Sequence, residues 1–229
     1  MAAASQDSAS GASAPRDHVY VDPQRLGQLL RWALIALIVA DVVLFVSTGL
    51  EYQLLARIRD RGAFPGMTEA AQANDARQGV VAIFQVLTFV VAGFLVLRWI
   101  WRSNKNLWAS GVAMENTPGW AVGWYFVPFA NLWKPYQAMR EIWQQSLREE
   151  AHSNGPLPWW WAFWLATNIA GNLSFRLSLS QDVSLLVLSN IAGLVSAAAD
   201  IGACIMLLRI VARVTGAQRN LPAVTETFS

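Results

Sequence analysis

Asp41 interrupts an apolar run, and Asn168, Asn172 and Arg176 recur at i, i+4 and i+8 in another. On a helix those last three share one face. An ionised carboxylate in hydrocarbon costs several kcal/mol unless it is paired or protonated. The four residues therefore read as a mid-membrane polar cluster, with Asp41 paired to Arg176 or to the Asn168/Asn172 ladder. Such a cluster is either hydrogen-bonding glue between helices, worth about 1 kcal/mol or less per bond, or a path for a proton or small substrate. Glue is the simpler reading. Counting rise per residue puts Arg98 and Asp200 near one boundary, where they form a candidate ion pair. Catalytic chemistry finds no foothold: there is no Ser/His/Asp set, no carboxylate pair in a common segment and no Gly-rich phosphate loop. The single cysteine, Cys204, lies in an apolar run and reads as a small buried hydrophobe. His18 and His152 stand alone, so no catalytic residue, metal or cofactor is expected.

The elements that must position these groups are membrane helices. Of 229 residues, 55% are hydrophobic and 14% charged, against about 25% charged in a soluble domain. The apolar residues fall into four runs, about 29–50, 80–101, 158–179 and 183–211. Each reaches the roughly 20 residues that cross a bilayer. The fold class expected is all-α: a polytopic membrane protein with four transmembrane helices. Residues 1–22 read as a disordered tail, 23–215 as a single helical membrane domain and 216–229 as a C-terminal tail. Segment 51–79 reads as a solvated loop with short helical flanks, and Trp159, Trp160 and Trp161 as part of a headgroup-level aromatic belt. Ser189, Gly193 and Ala197 form a face of small residues that lets a neighbouring helix approach closely.

Between the second and third runs lies a Trp- and Pro-studded stretch, residues 118–136, too short and too broken to cross. Pro128 removes a backbone donor, and the freed carbonyls near Tyr125 and Val127, with Asn131, either cap the break themselves or bind a ligand; self-capping is favoured. After Pro135 the residues Tyr136, Met139, Ile142, Trp143 and Leu147 recur at helical spacing, opposite Gln137, Arg140, Gln144 and Glu150. That pattern is an amphipathic helix lying along the membrane surface, and 118–150 is read as a re-entrant or interfacial element. With four spans and both termini inside, twelve of the 17 basic residues fall on the inner side; Arg57, Arg59, Arg61, Arg77 and Arg176 are the outer ones. The positive-inside rule favours that orientation.

Several of these residues carry a resemblance. The run Arg98–Arg102 is followed by Asn104 and Asn106. Then come Pro118, Gly119, Trp120, Gly123 and Trp124, the Pro128/Asn131 turn, Pro135 and Tyr136, and finally Glu141 and Trp143. In this combination the chain resembles the bacterial membrane family catalogued as domain of unknown function 4328, loosely over 29–211 and specifically over 99–143. The resemblance implies a multi-span bacterial membrane protein and brings no activity, cofactor or catalytic residue. The function expected is therefore non-enzymatic: a bacterial inner-membrane scaffold, sensor or interaction protein. Its partners would be the lipid bilayer and a protein or second copy of the chain, not nucleic acid. The alternative is a small transporter or channel component using the cluster at Asp41. A cavity opening at Asp41 separates the two.

Overall fold

A computed structural model describes residues 19–148, 153–219 and 221; the expectations for 1–18, 149–152 and 222–229 lie outside the described residues. The chain folds as α1 (Gln24–Arg61), α2 (Met67–Ala109), α3 (Pro118–Gly123), α4 (Lys134–Leu147), α5 (Leu157–Ser178) and α6 (Val183–Gln218). Two 3-10 turns, Trp124–Phe126 and Ala130–Leu132, join α3 to α4. No strand occurs among the described residues.

α1 and α2 overrun the expected spans. They have 38 and 43 residues, about 57 and 64 Å at 1.5 Å per residue. The segment expected as a loop is therefore mostly helix, and only residues 62–66 turn. Gly62 and Gly66 sit at φ 71° and 78°, a region that glycine enters without a Cβ clash. Side chains hold the extensions together: Glu51 accepts from Gln78 and Asn74, and Arg77 donates to the Ser47 hydroxyl and carbonyl.

Three helices, α1, α2 and α6, are long and apolar enough to cross a membrane, where four were expected. α5 forms where the third span, 158–179, was read, but its Trp, Asn and Ser residues and Arg176 dilute its apolar character. α5 and α6 are stitched by reciprocal hydroxyl–carbonyl bonds. Ser174 Oγ donates to the Ser189 carbonyl and Ser189 Oγ to that of Ser174, at 2.9 and 2.8 Å. Thr167 and Ser196 exchange the same pair. The small-residue face on α6 thus meets α5, as its pattern implied.

The opposite end is a polar knot around Gln218, which is 0% exposed. Its side-chain amide donates to the Ser103 carbonyl and the Ser146 hydroxyl, both at 3.0 Å, and its backbone carbonyl accepts from Tyr20. Asn106 exchanges bonds with the Val21 backbone. Burial, then the nearby Asp22, raises the ionisation of Tyr20 above the ordinary tyrosine range. The tails expected at 1–22 and 216–229 are accordingly shorter than read, because Tyr20, Val21 and Gln218 are bonded into the bundle. Above the knot lies an apolar core of Leu30, Leu34, Leu37, Trp99, Leu207 and Ile210.

A Cβ on Gly193 would meet Ser174 Oγ at 3.2 Å. Gly193→Val is expected to push α5 from α6 and destabilise by about 1–3 kcal/mol, the usual result of overpacking. Gly79, with nothing within 4 Å, should accept alanine with a gain of up to about 1 kcal/mol. Thermal unfolding of the two purified variants checks the contrast.

Candidate functional site: a polar cleft floored by Asp41 and Asp200

The long helices stand in a row: α5 packs on α6, α6 on α1 and α1 on α2, with a light touch between α2 and α6. On the concave side of that row lies a cleft of about 850 Å³, well within the size range of small-molecule sites. It descends from Ile58 and Asp75, near the 62–66 turn, to Asp41 and Asp200. By helical rise Asp41 sits about 25 Å below Ile58. Thr48, Gln78, Ser174, Ser178, Ser189 and Asn190 add polar groups to the walls. Four carboxylates line the cleft (Asp41, Glu51, Asp75 and Asp200), and among the described residues no Lys, Arg or His does. Arg77 stays at the rim, bonded to Ser47 and Asn74.

Asp41 is 1% exposed. Its Oδ1 accepts from Gln85 Nε2 at 2.6 Å, while its Oδ2 and Gln85 Oε1 are buried with no hydrogen-bond partner. An orphaned buried acceptor is costly, so two at one place mark it out. Carboxylate oxygens of Asp41 and Asp200 and the Cys204 Sγ all lie within 4.8 Å of one another. The expectation of no metal constellation considered spacing along the chain. Folding brings Asp41 of α1 beside Asp200 and Cys204, which stand one turn apart on α6 and far from Asp41 in sequence.

The partners expected for Asp41 are elsewhere. Arg176 Nε donates to Asn172 Oδ1 at 2.8 Å, and Asn168 donates to the Trp164 carbonyl. Asn168 and Asn172 line a separate hollow of about 400 Å³ with Asn131 and Trp164. The ladder does share one face, but that face turns away from Asp41. Residues one position earlier, Thr167 and Gly171 with Ser174, face the cleft instead. Arg98 and Asp200 do not pair: the single ion pair among the described residues is the exposed Arg59–Asp60. Arg98 is exposed, whereas Asp200 turns in beside Asp41. Gln85, Glu51, Asn74 and Gln78 were missed. Gln85 had a signal, being an amide inside an apolar run.

The Trp/Pro element caps itself, as favoured. Thr117 caps α3, with Pro118 in its first turn. Pro128 and Ala130 close a tight turn, the Pro128 carbonyl accepting from Ala130 N at 2.7 Å. Between them Phe129 is held at φ 63°, ψ −48°, the strained classic γ conformation. The Val127 carbonyl accepts from Asn131 N, and the Leu132 carbonyl from the Trp161 indole. Glu141 accepts from Asn116 Nδ2 at 2.7 Å and from the backbone nitrogens of Glu115 and Asn116. Asn116 in turn accepts from Trp124 and Asn104. α4 is amphipathic, but it does not offer its apolar face to lipid. Met139, Ile142, Trp143 and Leu147 are buried in the protein core, with Tyr136 packed against it. Trp160 and Trp161 are buried too, leaving Trp159 as the outward member of the expected belt. Trp120 stays exposed, its ring tilted 30° against that of Trp124 with centroids 4.6 Å apart. Gly119 has open space around it, and a Cβ on Gly123 would touch the Trp120 ring. Pro135 occupies the first turn of α4.

A family model described as "Domain of unknown function (DUF4328)" matches residues 65–216, and the chain belongs to that family. The match takes in α2 to α6, with Gln85, Asp200 and Cys204, and leaves out α1 with Asp41. No curated protein and no solved structure matches the chain.

Asp41→Asn keeps an acceptor for Gln85, whereas Asp41→Leu orphans a buried donor. The leucine variant is expected to lose about 1–3 kcal/mol and the asparagine variant little, read as melting temperature and yield of folded protein. Equal behaviour of the two refutes the pairing.

Proposed function

We propose that this chain is a four-span integral protein of a bacterial inner membrane that admits small cationic solutes to the cleft above Asp41 and Asp200, as a transporter or channel component. The observation that carries the reading is a cleft lined by four carboxylates and, among the described residues, no basic group. Low-dielectric walls of one charge sign concentrate counter-ions.

The scaffold alternative drew on the Trp/Pro element. Its Trp124 indole and its Glu141 carboxylate are occupied by internal bonds, and the apolar face of α4 is buried. Little is left there to recruit a protein partner. The exposed Trp120, Phe126 and Phe129 suit anchoring in lipid headgroups instead. We take the bilayer as the main partner, since Val80, Ile83, Phe84, Leu87, Val90 and Phe94 turn α2's apolar surface outward. A second copy of the chain would be the natural cover for the open side of the row. We assign the chain neither a nucleic-acid partner nor an enzymatic reaction.

α5 serves as the fourth crossing in this reading. Its 22 residues reach about 33 Å, and its Thr167 and Ser174 hydroxyls are bonded to α6. The contact between Tyr20 and Gln218 brings both ends of the described bundle to one side, as an even number of crossings requires. The positive-inside rule makes that side cytoplasmic.

The reading is tested with single cysteines in a Cys204→Ala background. Thr48→Cys, on the cleft wall, is expected to react with a charged, membrane-impermeant thiol reagent added outside the cells. Leu37→Cys, in the apolar core, should not. Equal protection of both would rule out an open cleft.

A further inference from the structure

The cleft floor holds two neighbouring carboxylates with no basic group facing them. In a low-dielectric setting such a pair needs a positive charge between its members, supplied by a shared proton or by a cation. Geometry and donor type separate the two. The third atom of the cluster is the Cys204 sulfur, and Asp41, Asp200 and Cys204 present ligand atoms within 4.8 Å of one another. Beside them two buried oxygens have no partner, Asp41 Oδ2 and Gln85 Oε1. A shared proton satisfies a carboxyl oxygen. It gives nothing to the Gln85 carbonyl and does not use the sulfur.

We infer that Asp41, Asp200 and Cys204, with Gln85 Oε1 as fourth donor, form a binding site for one borderline-soft divalent cation of the zinc type. The inference rests on the cationic-cleft reading and names the cation. Three oxygens and one sulfur fit a tetrahedral ion. Calcium asks for about six to eight oxygens and magnesium for an octahedron that keeps its waters, whereas zinc accepts four mixed S and O ligands. Tetrahedral zinc separates its ligand atoms by about 3.5 Å at its usual bond lengths, so the cluster needs closing by side-chain rotation rather than by moving helices. Both carboxylates bind ionised and Cys204 binds as the thiolate, its proton released to water as the metal enters, so the dication is more than neutralised. The cleft brings such an ion to the site from the 62–66 end. The apolar core of Leu34, Leu37 and Trp99 lies beyond it.

Cobalt(II) is the probe, added to the purified full chain in detergent after chelator treatment. The expected result is one Co²⁺ per chain with a thiolate-to-cobalt charge-transfer band, displaced by Zn²⁺ and not by Mg²⁺. Because the chain has one cysteine, that band can come only from Cys204. Cys204→Ser, nearly isosteric, should abolish the band and weaken Zn²⁺ binding by at least about tenfold, since even outer-sphere partners change affinity by about 10–100-fold. Asp200→Asn should weaken it likewise. Cobalt binding without the band and unchanged by Cys204→Ser overturns the site, as does displacement by Mg²⁺ as readily as by Zn²⁺. No bound cobalt beside a reactive Thr48→Cys overturns the site and leaves the cleft standing. Bound cobalt with the band beside a protected Thr48→Cys upholds the site and overturns the open cleft.

Discussion

The hydrogen bond from Gln85 to Asp41 sits where a dry half of the bundle meets a polar one. On its Gln218 side the interior is Leu34, Leu37, Trp99, Leu207 and Ile210; on the other side are carboxylates, amides and hydroxyls. A carboxylate at such a boundary must be met by donors, because hydrocarbon offers none. That requirement makes α1 the hub. It faces α2 through Gln85 and α6 through Asp200, and among the long helices α5 packs on α6. A row built in that order cannot close on itself without filling the space in front of Asp41. The cleft is thus the geometric remainder of satisfying one buried acid from one side.

The two ends of the row are held by different chemistry. At the Gln218 end, side-chain amides of Gln218 and Asn106 bond to backbone, and an apolar core seals the space between helices. At the turn end, Glu51, Asn74, Gln78, Arg77 and Ser47 bond side chain to side chain across α1 and α2. Backbone-anchored bonds among fully buried groups resist opening, because each lost partner leaves an orphan in low dielectric. Partly wet side-chain pairs exchange more readily with water. Mobility in this fold belongs at the turn end, where the cleft opens.

Helix content and most element identities were legible in the sequence; partnerships were not. Helical spacing correctly put Asn168, Asn172 and Arg176 on one face, yet periodicity does not say which neighbour a face meets. One residue is a rotation of about 100°, and α5 presents Thr167 and Gly171 to the cleft instead. Depth counting failed for a related reason. It ended the first span at Leu50, whereas α1 runs on to Arg61, so Asp41 was placed at mid-membrane and Asp200 near a boundary when they lie side by side. Self-capping of the Trp/Pro break holds at Val127, whose carbonyl accepts from Asn131 N, because freed carbonyls must be answered somewhere. That the answers include an indole of α5 needed the tertiary fold.

Asp41 lies outside the family-matched residues 65–216, while Gln85, Asp200 and Cys204 lie within them. The matched segment alone supplies an amide, an acid and a thiol at the cleft floor, together with the Asn116–Glu141 network that fixes the Trp/Pro element beneath it. α1 adds the second carboxylate and, through Thr48, Glu51 and Leu55, one wall. Without α1 the remaining acid would face lipid, with α2 and α6 only lightly in contact. The first helix is therefore as much a part of the site as the family segment. What it contributes is two of the four carboxylates that line the cleft, Asp41 and Glu51.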